Sequence, residues 1–187
     1  MFEIGIAARP EGVEVAIRIV GSSLHRSKQA QHMRTGRTGC GLCGVESQAQ
    51  FSAPSRVVAH STRVSAAALH RAMASLPQHQ RLHPLTGAAH AAGWADADGK
   101  LLQVREDIGR HNALDKLIGA LVRSGLSPAQ GFCVLTSRAS YEMVQKATRA
   151  GVGLVAVLRV AEQSGLTLAG FVRNGQHAVH SHADRVG

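Results

Sequence analysis

Gly131-Phe132-Cys133-Val134-Leu135 carries no charge and sits between two segments of helical period. An apolar run this short reads as a strand buried on both faces. Residues 154–158, Leu-Val-Ala-Val-Leu, read as a second one. Between them, residues 140–150 predict a helix with Met143, Val144, Ala147 and Ala150 inward. Before them, Leu114, Leu117, Ile118, Leu121 and Val122 fall on one face of another helix. Asn112 is its expected N-cap, Asp115 lies in its first turn and Gly125 ends it. Short buried strands alternating with helices restrict the chain to α/β layers.

Hairpin signals make the sheet mixed rather than purely parallel. Ile4, Ile6 and Ala8 alternate before the turn at 9–12, and Val13, Val15, Ile17 and Ile19 alternate after it. Thr86-Gly87 opens a second hairpin, with strands over 88–95 and 101–104. A third closes the chain over 166–172 and 177–180, joined by Asn174-Gly175, which suits a type I′ turn. Residues 65–76 predict a helix with Ser65 as N-cap and Pro77 as stop, and a short helix leads to Gly165. Residues 21–44 have no period and read as a long loop ending in the thiol pair, of the functional or disordered kind. The expected fold is α/β, a mixed β-sheet with flanking helices. The expected division is an N-terminal hairpin with its long loop over 1–60 and an α/β domain over 61–187.

The core must rest on small and aliphatic residues, because 187 residues hold only four Phe, one Trp and one Tyr. No apolar run is long enough for a membrane span. The first residues lack the basic-then-apolar pattern of a secretory leader. A formal charge of +9 favours anionic partners. The basic residues are scattered, however, and few aromatics could stack bases, so nucleic acid is not the expected partner. Three cysteines form no disulfide framework, which argues for a reducing cytoplasm.

Two of those cysteines stand in Cys40-Gly41-Leu42-Cys43, flanked by Gly39 and Gly44. Glycines leave the backbone free to turn and expose both sulfurs. Closed zinc sites need four ligands, and only Cys133, in an apolar run, remains as a third thiol. No metal site is therefore expected. Dithiol redox proteins start a helix at their motif to lower one thiol pKa, and no strong helix start follows here. The remaining use is sulfur transfer, in which a thiolate takes up sulfur as a persulfide. Arg34, Arg37 and His32 precede the motif and would stabilise the thiolate. Zinc deaminases need His-x-Glu, which is absent.

Glu106-Asp107-Ile108-Gly109-Arg110-His111-Asn112-Ala113-Leu114-Asp115-Lys116 leads into the strongest helix. Helix N-termini attract phosphate, Arg110 adds a donor fork, and His111 is a candidate acid or base. An Asp107–Arg110 ion pair closing a loop fits the same residues equally well. Thr136-Ser137-Arg138 repeats the order of buried strand, hydroxyl, base and helix. Two such junctions point to a polyanion such as a dinucleotide or, equally, to simple capping by Ser137 and Ser140. Neither a Walker loop nor Gly-x-Gly-x-x-Gly occurs.

The thiol motif, residues 106–116, Ser137-Arg138-Ala139-Ser140-Tyr141-Glu142 and Gly165-Leu166-Thr167-Leu168-Ala169-Gly170-Phe171 occur in the order of FdhD proteins. The chain resembles this family of formate dehydrogenase accessory sulfurtransferases from about Ile4 to its end. The resemblance implies a cytidine-deaminase-like three-layer architecture without deaminase chemistry. It implies a persulfide carrier that takes sulfur from a cysteine desulfurase. The sulfur would pass to the molybdenum or tungsten bis(molybdopterin guanine dinucleotide) cofactor of formate dehydrogenase, bound as a client. Cys40 matches the persulfide-bearing cysteine and Cys43 its partner. Phe171, Val172, Arg173, Asn174, Gly175 and Gln176 match the segment associated with cofactor binding. A thiol-disulfide redox protein and a cofactor chaperone without sulfur transfer are the alternatives. A homodimer is the default expectation. Family members also carry a preceding Thr-Pro-Gly segment and a Ser-x-Pro-Thr loop near residue 153, and neither is found here.

Overall fold

The computed structural model describes residues 3–10, 12–18, 20–21, 63–137, 140–155, 167–173 and 175–187. The chain divides into two compact units, Met1–Gly39 and Cys40–Gly187. In the first, β1 (Glu3–Arg9) pairs antiparallel with β2 (Gly12–Arg18). The register sets Ile4 opposite Ile17, Ile6 opposite Val15 and Ala8 opposite Val13. Strand alternation thus gathers the apolar side chains on one face. Arg18–Glu3 at 2.9 Å and Arg9–Glu14 at 2.7 Å tie the two strands together. Ile19 lies outside the described residues.

The second unit is built on an antiparallel sheet of order β4-β3-β5, with β3 at His90–Asp96, β4 at Leu101–Asp107 and β5 at Gly131–Leu135. Helix α1 (Ala66–Ser75) precedes it and runs into a 3-10 turn at Leu76–His79. The short α2 (His83–Thr86) comes next; α3 (Arg110–Ser124) follows β4, and α4 (Tyr141–Arg149) follows β5. The closing hairpin is β6 (Leu168–Arg173) and β7 (Gln176–Ser181). Residues 153–155 link it to the sheet: the Cys133 N–H donates to the Leu154 carbonyl at 3.2 Å, and Leu154 bridges Thr167 in parallel.

Both sheet faces are covered, which produces three layers. Ala92, Trp94, Cys133 and Leu135 pack against α3 and α4 through Leu114, Leu117, Leu121, Met143, Val144 and Ala147. Their alternates Ala91, Ala95, Phe132 and Val134 pack against α1 through Ala68, Leu69, Ala72 and Leu76. Fully burying side chains such as Leu114 and Leu117 contributes about 1.5–3 kcal/mol each. Gly93 belongs to the α1 face, where a Cβ would stand 2.9 Å from Val134 Cγ2 and 3.0 Å from Leu101 Cδ2. Only hydrogen fits there.

Several expectations need correction. Thr86-Gly87 does not open the second hairpin: Thr86 ends α2, and Gly87, at φ 63°, is its left-handed cap. Strand β4 continues past Val104 to Asp107, because Glu106 and Asp107 still pair with Ala91 and His90. Helix α3 starts at Arg110 with Gly109 as N-cap, so Asn112 is inside the helix and Asp115 is beyond its first turn. Val122 is 76% exposed rather than inward. Its position falls at the edge of the apolar arc, one residue past the fully buried Leu121. Of the strand expected over 154–158, Leu154 and Val155 are buried and the rest lies outside the described residues.

Candidate functional site

Residues 106–116 connect the end of β4 to α3, and most of their polar groups are engaged there. The Glu106 carboxylate accepts the backbone N–H groups of Arg81 (2.6 Å), Leu82 (2.9 Å) and His83 (3.0 Å), and the Gln80 amide at 3.3 Å. It thereby holds the start of α2. Partial burial pushes its pKa up, but these donors together hold it below the ordinary carboxylate range. Asp107 accepts from Lys116 Nζ at 2.5 Å, Gly109 N at 2.8 Å and Asn112 Nδ2 at 3.2 Å. Its pKa is lowered chiefly by the Lys116 hydrogen bond, against the upward push of burial. Lys116 also donates to the Glu106 carbonyl at 3.1 Å. The ion-pair partner of Asp107 is therefore Lys116, one helical turn beyond Asn112. Asn112 is not the cap, because Gly109 holds that position; inside the helix, its amide donates to Asp107.

The remaining groups point to the junction of α3 with α4. His111 Nε2 lies 3.2 Å from Glu142 Oε2 and 3.4 Å from Ser140 Oγ. Lys146 Nζ reaches Asp115 Oδ2 at 2.6 Å, so the two helices are joined twice. Burial pushes the His111 pKa down, Glu142 opposes it, and Arg110 and Lys146 add to the lowering, with Asp115 opposing. Neutral His111 follows near pH 7. A carboxylate only accepts, so the carboxylate assigns the proton to Nε2 and leaves Nδ1 as the basic nitrogen. Ser140 occupies the N-cap position of α4 without a side-chain bond to the helix backbone. Thr136 is spent on the sheet, where its hydroxyl accepts from Ala91 N at 2.9 Å. The starts of two helices, a neutral imidazole and a hydroxyl can attract an anion and move a proton.

Cys40 and Cys43 lie outside the described residues, as do Arg34, Arg37, His32 and Arg138. Cys133 is buried, and burial pushes its thiol up to about 12, which makes it an inert small hydrophobe. The segment 171–176 forms the end of β6, the turn and the start of β7, with Arg173 paired to Gln176. Asn174 is outside the described residues, and Gly175 has the left-handed φ of 73° that such a turn requires. Val172 packs against the α1 side of the core. No sequence pattern marks His70 on α1 and His177 on β7, whose Nε2 and Nδ1 stand 3.1 Å apart. They are 107 positions apart, beyond the reach of any local pattern.

Among the described residues no helix is long and apolar enough to cross a membrane. An antiparallel sheet covered on both faces by helices, in three layers, defines an α/β protein. The chain belongs to the FdhD/NarQ family, whose model matches residues 3–187. It is 46% identical to the sulfur carrier protein FdhD of Bordetella bronchiseptica, covering 98% of this chain and 69% of that protein. The FdhD of Variovorax paradoxus is 42% identical, with 100% and 70% covered. A solved chain from Desulfotalea psychrophila, described as a formate dehydrogenase accessory protein, superposes with a TM-score of 0.65 at 17% identity. That likeness covers 100% of this chain and 99% of the other, and it establishes the fold.

Proposed function

We propose that the chain is a cytoplasmic sulfur carrier that serves formate dehydrogenase, with Cys40 as the carrying thiol. The observation behind this reading is Cys40-Gly41-Leu42-Cys43 within a family match that spans residues 3–187. In the transfer step the Cys40 thiolate attacks the outer sulfur of a cysteine desulfurase persulfide. The donor S–S bond breaks, the donor leaves as a thiolate, and Cys40 carries the persulfide. For release the Cys43 thiolate attacks the Cys40 sulfur: the persulfide S–S bond breaks, a Cys40–Cys43 disulfide forms, and the outer sulfur leaves as sulfide for the acceptor. The acceptor is the guanine-dinucleotide molybdenum or tungsten cofactor, bound as substrate by residues 171–176. Its phosphates suit a chain of charge +9.

The test is restoration of formate dehydrogenase activity in cells that lack their own family member. The chain should restore activity, and Cys40→Ala should abolish it. Activity retained by Cys40→Ala would favour a cofactor chaperone that passes no sulfur.

A further inference from the structure

The His70–His177 contact belongs neither to the α3–α4 junction nor to the thiol loop. We infer that it is a proton-sensitive tie that positions strand β7, and with it the turn at 171–176, against α1. The functional half of this inference rests on the proposed cofactor role of that turn. His70 Nε2 and His177 Nδ1 are 3.1 Å apart, with ring centroids 5.2 Å apart at an interplanar angle of 64°. Leu69, next to His70 in sequence, lines a small apolar cavity with Met73, Ala169 and Val172 at the α1–β6 seam. His177 follows Gln176, the residue paired with Arg173 across the turn. Among the described contacts, the imidazole pair is the polar link from α1 to β7.

Two imidazoles share a hydrogen bond only when one nitrogen donates and the other accepts. The tie therefore holds with neither ring or one ring cationic. It fails when both are, because both nitrogens then donate and two positive charges meet. One turn along α1 from His70 stand Ala66, Ala67, Met73 and Ala74, none of them titratable. Arg71 is held by the Asp98 carbonyl at 2.6 Å. The charged or titratable residues on the facing strands are Arg173 and His180, and after them come His182, Asp184 and Arg185. No carboxylate contact with either ring is among the described interactions. Arg63, before α1, adds further positive charge.

Hydrogen–deuterium exchange of the full chain, corrected for intrinsic rates, tests the tie at about pH 7.5 and about pH 5, which bracket imidazole titration. The wild type should expose the β7 amides about five- to tenfold more at the lower pH, the size expected for one hydrogen bond. His70→Gln places an amide where Nε2 stood, and an amide can donate or accept, so its β7 exchange should stay slow at both. His70→Phe should exchange fast at both. Slow exchange in His70→Phe near pH 7.5, or a pH-independent wild type, overturns the tie. Binding of guanosine diphosphate to the same variants should follow the exchange order. If β7 exchange follows the prediction but no variant binds the nucleotide, the tie stands and the cofactor role of 171–176 falls. If the nucleotide binds His70→Phe as tightly as wild type, the tie does not position the turn.

Discussion

His111 Nε2 stands 3.2 Å from Glu142 Oε2, so α3 and α4 meet through an imidazole whose burial outweighs the pull of the carboxylate. The native pKa lies below the ordinary 6.5, so the unfolded chain takes up this proton first as pH falls. Stability is retained above the unfolded value and declines as pH drops from there through the native value. The urea midpoint should fall between about pH 7.5 and about pH 5.5, and fall less in His111→Gln. Equal falls in both proteins would show that His111 is not the titrating group.

Glu106 gathers three backbone N–H groups around one carboxylate. Glu106→Ala leaves them without that acceptor and frees the start of α2 from the end of β4. We expect a loss of about 1.5–3 kcal/mol, the range for hydrogen bonds to a charged group, reduced toward the lower end because the site is partly exposed. The lowered native pKa means this contribution is present above the unfolded value near 4.5 and is lost as pH falls through the native one. Chemical denaturation of both proteins at neutral and acid pH reads the difference.

Gly99 closes the β3–β4 turn at φ 83°, and a Cβ there would run into the Ala68 carbonyl of α1. Gly99→Ala combines left-handed strain with a backbone clash, and should lower stability by about 2–4 kcal/mol. A thermal midpoint equal to wild type would mean that α1 yields without cost.

Thr148 is fully buried in α4, and among the described residues its hydroxyl has no hydrogen-bond partner. Thr148→Val keeps the shape and removes the unsatisfied oxygen. It should be neutral or stabilising by up to about 1 kcal/mol, whereas Thr148→Ser should destabilise by opening a methyl-sized void. Denaturant midpoints of the two variants should move in opposite directions or, for Val, stay level.

Local patterns disclosed much of the fold. The uncharged run at Gly131–Leu135 became a strand buried on both faces, and Ser65 caps α1, accepting from Ala68 N at 3.1 Å. Gly125 and Gly175 took left-handed conformations as a helix stop and a hairpin turn require. Some failures were local: Asn112 resembles a cap, but α3 starts at Arg110 and Gly109 takes that place. Other contacts depended on partners distant in sequence, as that of Glu106 with 80–83 does. The His111–Glu142 contact joins two junctions that were each legible alone, but their meeting is set by how α3 and α4 pack on the sheet. The His70–His177 pair has no sequence signature because each residue looks like an ordinary surface histidine.

The central claim is that Cys40 carries transferable sulfur. Intact mass of the chain after incubation with a cysteine desulfurase and cysteine tests it directly. The mass should rise by one or more sulfur atoms, return to its starting value with reductant, and stay unchanged in Cys40→Ala. A loss of two hydrogens without any sulfur gained or sulfide released would mean a Cys40–Cys43 disulfide instead, and would contradict the carrier role.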